Sequence, residues 1–277
     1  MLAAALLLPT LLTGGAAPPP NAVTLSEPRV EYRPNEASAT TSPWIDANGW
    51  RILRDAGAKF LYTVKGAGAA LATAEAFTYD ANAFISTDTP GAAAFQGMAE
   101  FLKTIPAVAL SPVADFGVID DRSQATGELL NLLTRMNLLY RVGIKPDASM
   151  ALNVRLGTKE YPAQEASNPG LLAHKIRSQL GDDHRSLRIY GSEVVVGRLT
   201  QGPRQMRVSL LNYAALNDSA RPVLGLRVRV RGSFSKGELR ASGQADPQLA
   251  DWTQDGTATE FTIPELRVCA VVDLFRN

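Results

Sequence analysis

The sequence predicts an α/β part followed by an all-β part: an open, mostly parallel sheet with flanking helices, then a C-terminal antiparallel β-sandwich. Three observations predict it. Between residues 59 and 183, short β-branched and aromatic runs alternate with helix-length segments, the pattern of parallel strands joined by crossover helices. From about residue 187 the runs become short and alternating, separated by Gly, Pro, Asn and Asp, with no helix-period stretch among them. That texture predicts an antiparallel sandwich. The composition is globular, with 45% hydrophobic and 20% charged residues in 277, and the length allows two ordinary domains.

The elements follow in order. "MLAAALLLPTLLTGGAAPPP" has an apolar core followed by small residues and prolines. It is too short to span a membrane and reads as a signal peptide over residues 1–17, cleaved near Ala16 or Ala17. It is an atypical one, because no Lys or Arg precedes the apolar run. Residues 18–43, rich in Pro, Ser, Thr and Glu, read as a linker or extended arm. The α/β part covers 44–186. "KFLYTVK" (59–65), "NAFIST" (82–87), "VADFGVI" (113–119), "LLYRVGI" (138–144) and "LNVRL" (152–156) read as strands. "GAALATAEAFTYD" (68–80) and "GAAAFQGMAEFLKTI" (91–105) read as helices. A further helix has Ser123 as N-cap and Leu129, Leu130, Leu132 and Leu133 on one broad face. The last (168–183) has Pro169 in its first turn and Gly181 as its stop. The sandwich covers 187–277, with the boundary near 184–187.

Charge and cysteine content exclude some functions. A net charge of +1 gives no electrostatic reason to expect nucleic acid. Arg227, Arg229 and Arg231 alternate with Leu226, Val228 and Val230, which reads as a half-buried strand with a solvated basic face. Cys269 is the only cysteine, so no intramolecular disulfide forms, and its apolar surroundings mark a small buried hydrophobe. An exported chain without disulfides suits a periplasmic or secreted location.

"RVSLLNYA", "GLRVRVRG" and "EFTIPELRVCAVVDL" together resemble the small C-terminal β-domains attached to glycoside hydrolases. "FGVIDDRSQATGELLNLLTRMNLLYRV" resembles the strand–helix–strand of class I glutamine-amidotransferase-like domains, which in some glycosidases lie between the catalytic barrel and the terminal sandwich. "ALATAEAFTYDANAFISTD" is similar to the last helix and strand of a sugar-cleaving (β/α)₈ barrel, so residues 44–110 read as a barrel remnant. A whole barrel takes about 250 residues, more than this chain can hold beside the other two parts. The amidotransferase chemistry is missing as well, since "IDDRS" stands where that activity needs a cysteine. The resemblance implies the rear portion of a glycosidase-type architecture, its barrel absent or truncated, binding carbohydrate or a protein partner without catalysis. The alternatives are a reduced glycoside hydrolase using paired carboxylates, and a structural module that forms a homo-oligomer or joins a partner encoded upstream.

The candidate residues are few. Asp120 and Asp121 stand at the carboxyl end of a predicted strand, where open sheets bind ligands, but an Asp-Asp-Arg-Ser run is also good helix-start chemistry. Glu75 and Asp88 are the other carboxylates considered for sugar hydrolysis, which needs two such groups roughly 5–10 Å apart. A solvated helix glutamate and a turn aspartate are their plain readings. Trp44, Trp50 and Tyr32 lie in a non-periodic segment and either stack on sugar or pin the N-terminal arm to the domain. Trp252 reads as a hairpin residue. Lys65, Gly66 and Gly68 do not follow phosphate-loop order and read as a tight turn. His174 and His184 lie ten residues apart, roughly 15 Å along a helix, and predict no metal. No cofactor and no transmembrane segment are expected.

Overall fold

The structure, a computed structural model, describes residues 7–13, 16–31, 43–216 and 221–276. Its first part contains β1 (Thr10–Leu12), β2 (Val23–Leu25), β3 (Arg29–Glu31), β4 (Trp44–Asp46), α1 (Gly49–Arg54), β5 (Lys59–Thr63), α2 (Gly68–Thr78), β6 (Asn82–Ser86) and α3 (Thr89–Lys103). β1, β6, β5 and β2 lie side by side in that order, all parallel, while β3 and β4 form a separate antiparallel pair. α2 is enclosed on nearly every side, and Ala69, Leu71, Ala72, Ala74 and Ala76 are all buried. A helix without a polar face has to be covered all round. The cover is this sheet, α3 and the C-terminal part, which adds Val196, Leu211, Tyr213, Cys269 and Val271 to the same core.

Next come β7 (Ser111–Pro112), β8 (Phe116–Ile119), α4 (Gln124–Arg135), β9 (Tyr140–Gly143), β10 (Asn153–Val154) and α5 (Pro169–Leu180). β10, β8 and β9 form a second parallel sheet in that order. Ser123 caps α4 by accepting the N–H of Thr126 at 3.1 Å. α5 stops at Gly181, whose φ of 75° suits a residue without a Cβ. Leu129, Leu130 and Leu133 of α4 share a core with Leu172, Ala173 and Ile176 of α5.

The rest of the chain is β-rich: β11 (Leu187–Tyr190), β12 (Val195–Gln201), β13 (Gln205–Asn212), β14 (Val223–Arg231), β15 (Lys236–Ala241), β16 (Ala250–Gln254), β17 (Ala258–Leu266) and β18 (Cys269–Phe275). They make two sheets, ordered β11-β14-β17-β16 and β15-β18-β13-β12-β7. Their inward residues, among them Leu199, Val208, Leu226, Val228, Phe261 and Val272, form one core. Arg227 and Arg229 face outward and meet Glu260 at 2.6 and 2.7 Å, so the basic stripe is largely neutralised by the neighbouring strand.

The described residues make a mixed α/β structure of five sheets, which departs from the expected layout in three ways. One open parallel sheet was expected, but the parallel strands fall into two. After α3 the chain leaves the first sheet through Pro106, and β7 joins the edge of β12 instead. Pro112 has no N–H for a ladder and is tolerated on such an edge. The stretch read as a linker contributes β2 and β3. Within the stretch read as a leader, Thr10–Leu12 pairs in parallel with Phe84–Ser86.

Asn137 and Asp115 are among the side chains that tie the parts together. Asn137 imitates a strand neighbour of β12, donating to Val195 O at 3.0 Å and accepting from Gly197 N at 2.7 Å. Asp115 accepts the backbone N–H of Ser186 at 3.0 Å and its hydroxyl at 2.6 Å. Among the described residues no helix is long and apolar enough to cross a membrane.

Candidate functional site

The carboxylates singled out from the sequence are dispersed, each held by its own partners. Asp120 is 6% exposed and forms a bidentate pair with Arg54 of α1, both bonds at 2.8 Å. It also accepts the backbone N–H of Arg122 at 2.9 Å. Asp121 points elsewhere, accepting Ser123 N at 2.9 Å and Thr126 Oγ1 at 2.7 Å. Its partial desolvation opposes ionisation, but the bonds from Ser123 and Thr126 outweigh that and lower its pKa. Asp88 caps α3, accepting Gly91 N and reaching back to Gly66 N, each at 2.9 Å. Those two N–H groups hold its carboxyl below the usual range.

Glu75 differs most from its expected setting. It is fully buried rather than solvated, and three separate elements supply its donors. Asn48, just before α1, gives its backbone N–H at 2.7 Å and its side-chain amide at 3.0 Å. Tyr62 of β5 donates its hydroxyl at 2.8 Å, and Tyr213, just after β13, donates from the C-terminal part. Burial still dominates these four donors and raises the carboxyl's pKa. Glu75 and Asp88 share no partner. The first is a buried joint between α2, the parallel sheet and the β-rich part, and the second is an exposed helix cap.

Of the predicted aromatic binders, Trp44 and Trp50 are half-buried against α4. Arg135 of α4 lies 4.0 Å over the Trp44 ring. The Trp50 ring lies against α4, so close to Gly127 that a Cβ there would sit 3.1 Å from it. These two residues fasten β4 and α1 onto α4. Tyr32 lies outside the described residues. Trp252 belongs to β16 and stacks on Phe261 at 5.9 Å. Among the described residues no group of three or more His, Cys, Asp or Glu side chains is placed to hold a metal. Burial pushes the Cys269 thiol up to about 12.

One cleft is not signalled by the residues singled out from the sequence. It has a volume of about 340 Å³ and lies between the end of α2, the 107–112 connection and the outer face of β12 and β13. That volume is within the range of small-molecule sites. The floor follows from strand periodicity. Leu199, Val208 and Leu210 point into the core, so residues of opposite parity point outward. The register sets Arg198 opposite Ser209 and Thr200 opposite Arg207, making a polar square on one face. Arg207 is paired with Asp273 of β18 at 2.7 and 3.0 Å. Arg198 donates to the carbonyl of Thr78 at the end of α2 and lies 5.3 Å over the Tyr79 ring. Leu7, Phe77, Val108 and Leu110 supply apolar walls. The signal for this site in sequence was an arginine inside an apolar strand, "VVVGRLTQ".

A second crevice of about 290 Å³ lies between the middle of β8 and residues 141–147, which end and leave β9. Three of its polar side chains bond one another or nearby backbone. Arg141 pairs with Asp147 at 2.7 Å, and Asn153 bonds the backbone of Asp147 at 2.8 and 3.0 Å. Asp120 is not among its walls.

No protein-family model matches the sequence, and no curated protein matches it. Solved structures align with the chain. The α-L-fucosidase isoenzyme 2 of Paenibacillus thiaminolyticus aligns at 10% identity with a TM-score of 0.57, over 82% of this chain and 62% of that one. A glycoside hydrolase family 30 subfamily 8 xylanase of Clostridium acetobutylicum aligns at 8% identity and a TM-score of 0.27, over 81% and 44%. A family 30 endoxylanase of Clostridium papyrosolvens aligns at 9% and 0.28, over 80% and 43%. The chain spans less than two thirds of the length of each. At these identities the likeness is one of fold, and the fucosidase carries it: the chain has a glycosidase-like fold.

Proposed function

We propose that this is a glycosidase-related protein that binds carbohydrate without cleaving it, using the cleft between α2 and the β12–β13 face. The observation that carries the reading is the juxtaposition of Arg198, Thr200, Arg207 and Ser209 on one outer sheet face beside apolar walls. Sugars present both hydroxyls and apolar C–H faces, and a cleft with a few convergent polar groups among apolar ones suits them. A binding role is further supported by the carboxylates. Glycoside hydrolysis needs two of them facing one substrate, while Glu75 is enclosed, Asp120 is spent on Arg54 and Asp88 caps a helix.

The reading extends to the architecture. Residues 44–186 form an amidotransferase-like α/β region, with 44–110 descended from a barrel, and 187–277 form a terminal sandwich. The one core shared by the two antiparallel sheets supports the sandwich. Export is part of the proposal, and it competes with the pairing of Thr10–Leu12, because cleavage near Ala16 or Ala17 would remove β1 and Leu7. N-terminal sequencing of protein recovered from a bacterial periplasm decides between them: a start near residue 17 supports export with β1 lost, and an intact Met1 in the cytosol contradicts it. Binding itself is tested by titrating the full chain with neutral and acidic oligosaccharides. Saturable binding weakened by Thr200→Val supports the cleft, and the absence of binding to every sugar overturns it.

A further inference from the structure

Three arginines withdrawn from water in this protein each face a carboxylate: Arg54 has Asp120 at 2.8 Å, Arg207 has Asp273 at 2.7 Å and Arg185 has Asp182 at 3.2 Å. Arg198 is different. Among the described residues it makes no ion pair, and its hydrogen bond goes to the Thr78 carbonyl. A guanidinium has five N–H donors in a planar fork, so most of that capacity remains open. Arg198 is half-buried, and a cation partly drawn out of water without a salt-bridge partner is costly; burial pushes its pKa down, against the pull of Tyr79 and Asp80. The Thr78 carbonyl ends α2 and offers only the partial negative charge of a helix C-terminus.

Thr78 supplies a second, independent observation. Its side chain is 6% exposed and lines the same cleft, yet its Oγ1 has no hydrogen-bond partner. Hydroxyls this deep are normally satisfied. Asp80 also lines the cleft. It would repel a dianion more than a single charge, which favours a singly charged group against Arg198. Building on the saccharide reading of this cleft, we infer that it takes an acidic saccharide whose carboxylate or sulfate ester lies against Arg198. The sugar's hydroxyls reach Thr78 and Ser209. A planar carboxylate meets the guanidinium fork through two parallel bonds, and a sulfate ester offers the same pair of oxygens.

The test uses calorimetric titration of the full chain with four probes: a trimer of galacturonic acid, its carboxyl-reduced neutral counterpart, a sulfated neutral trimer, and inorganic sulfate. The expected result is that at least one charged trimer binds about tenfold tighter than the neutral one, and the better of the two identifies the source of the anion. Arg198→Gln removes that preference, weakening the charged trimers more than the neutral one. Thr78→Val weakens every trimer. Equal affinity for charged and neutral trimers in the native protein overturns the inference and leaves the saccharide reading standing, with no variant needed. Inorganic sulfate binding as tightly as the charged trimers assigns a free anion and overturns it too. No binding to any trimer overturns both.

Discussion

Glu75 carries four hydrogen bonds from Asn48, Tyr62 and Tyr213 with no access to water, and its role there is to join elements. Glu75→Gln puts an amide N–H₂ against at least one donor that cannot turn away, a loss on the order of 2 kcal/mol, read as a lower urea midpoint. The pH dependence has a definite sign. Because folding raises this pKa, Glu75 contributes stability that is complete below its unfolded value, about 4.3, and is lost as pH rises through the folded one. The native midpoint therefore falls relative to that of Glu75→Gln as pH is raised above about 4.3, and parallel curves would contradict the assignment. Asp120→Asn breaks a buried pair and costs about 3–5 kcal/mol, also measured by urea. The sequence at 120–123 showed the helix start but not Arg54, which lies 66 residues from Asp120. Tyr213 lies 138 residues from Glu75, and nothing local marks either partnership.

At the scale of elements, α2 shows what the sequence contained and what went unread. Its alanine-rich run named a helix. The same run has no polar face, which predicts cover on every side and so a buried Glu75. Close packing continues at its end, where the Tyr79 ring lies against Gly49 of α1. A Cβ there would fall 2.0 Å from the ring, so Gly49→Ala forces one of them to move and costs about 1–3 kcal/mol, seen as a lower Tm. The start of α4 and the stop of α5 were legible because Ser123 and Gly181 act on the backbone beside them. β16 was less legible. Asp251 takes φ 49° within it and the register shifts between Ala250 and Thr253, so its alternation is broken and Trp252 reads as a turn residue.

At the scale of the whole molecule, the change of texture near residue 187 was visible, because antiparallel strands and crossover units differ in period and punctuation. The division of the parallel strands into two sheets was not, since which strand lies beside which depends on contacts between distant segments. The cleft belongs to this scale as well. It forms where the end of α2 meets the outside of β12 and β13, and no single stretch holds its residues. The central claim, carbohydrate binding without cleavage, is tested most directly by retention of the full chain on a panel of immobilised polysaccharides, with released reducing sugar read in the same wells. The account predicts selective retention that Arg198→Gln weakens, with no sugar released. Sugar release abolished by Asp88→Asn, or no retention on any polysaccharide, would contradict it.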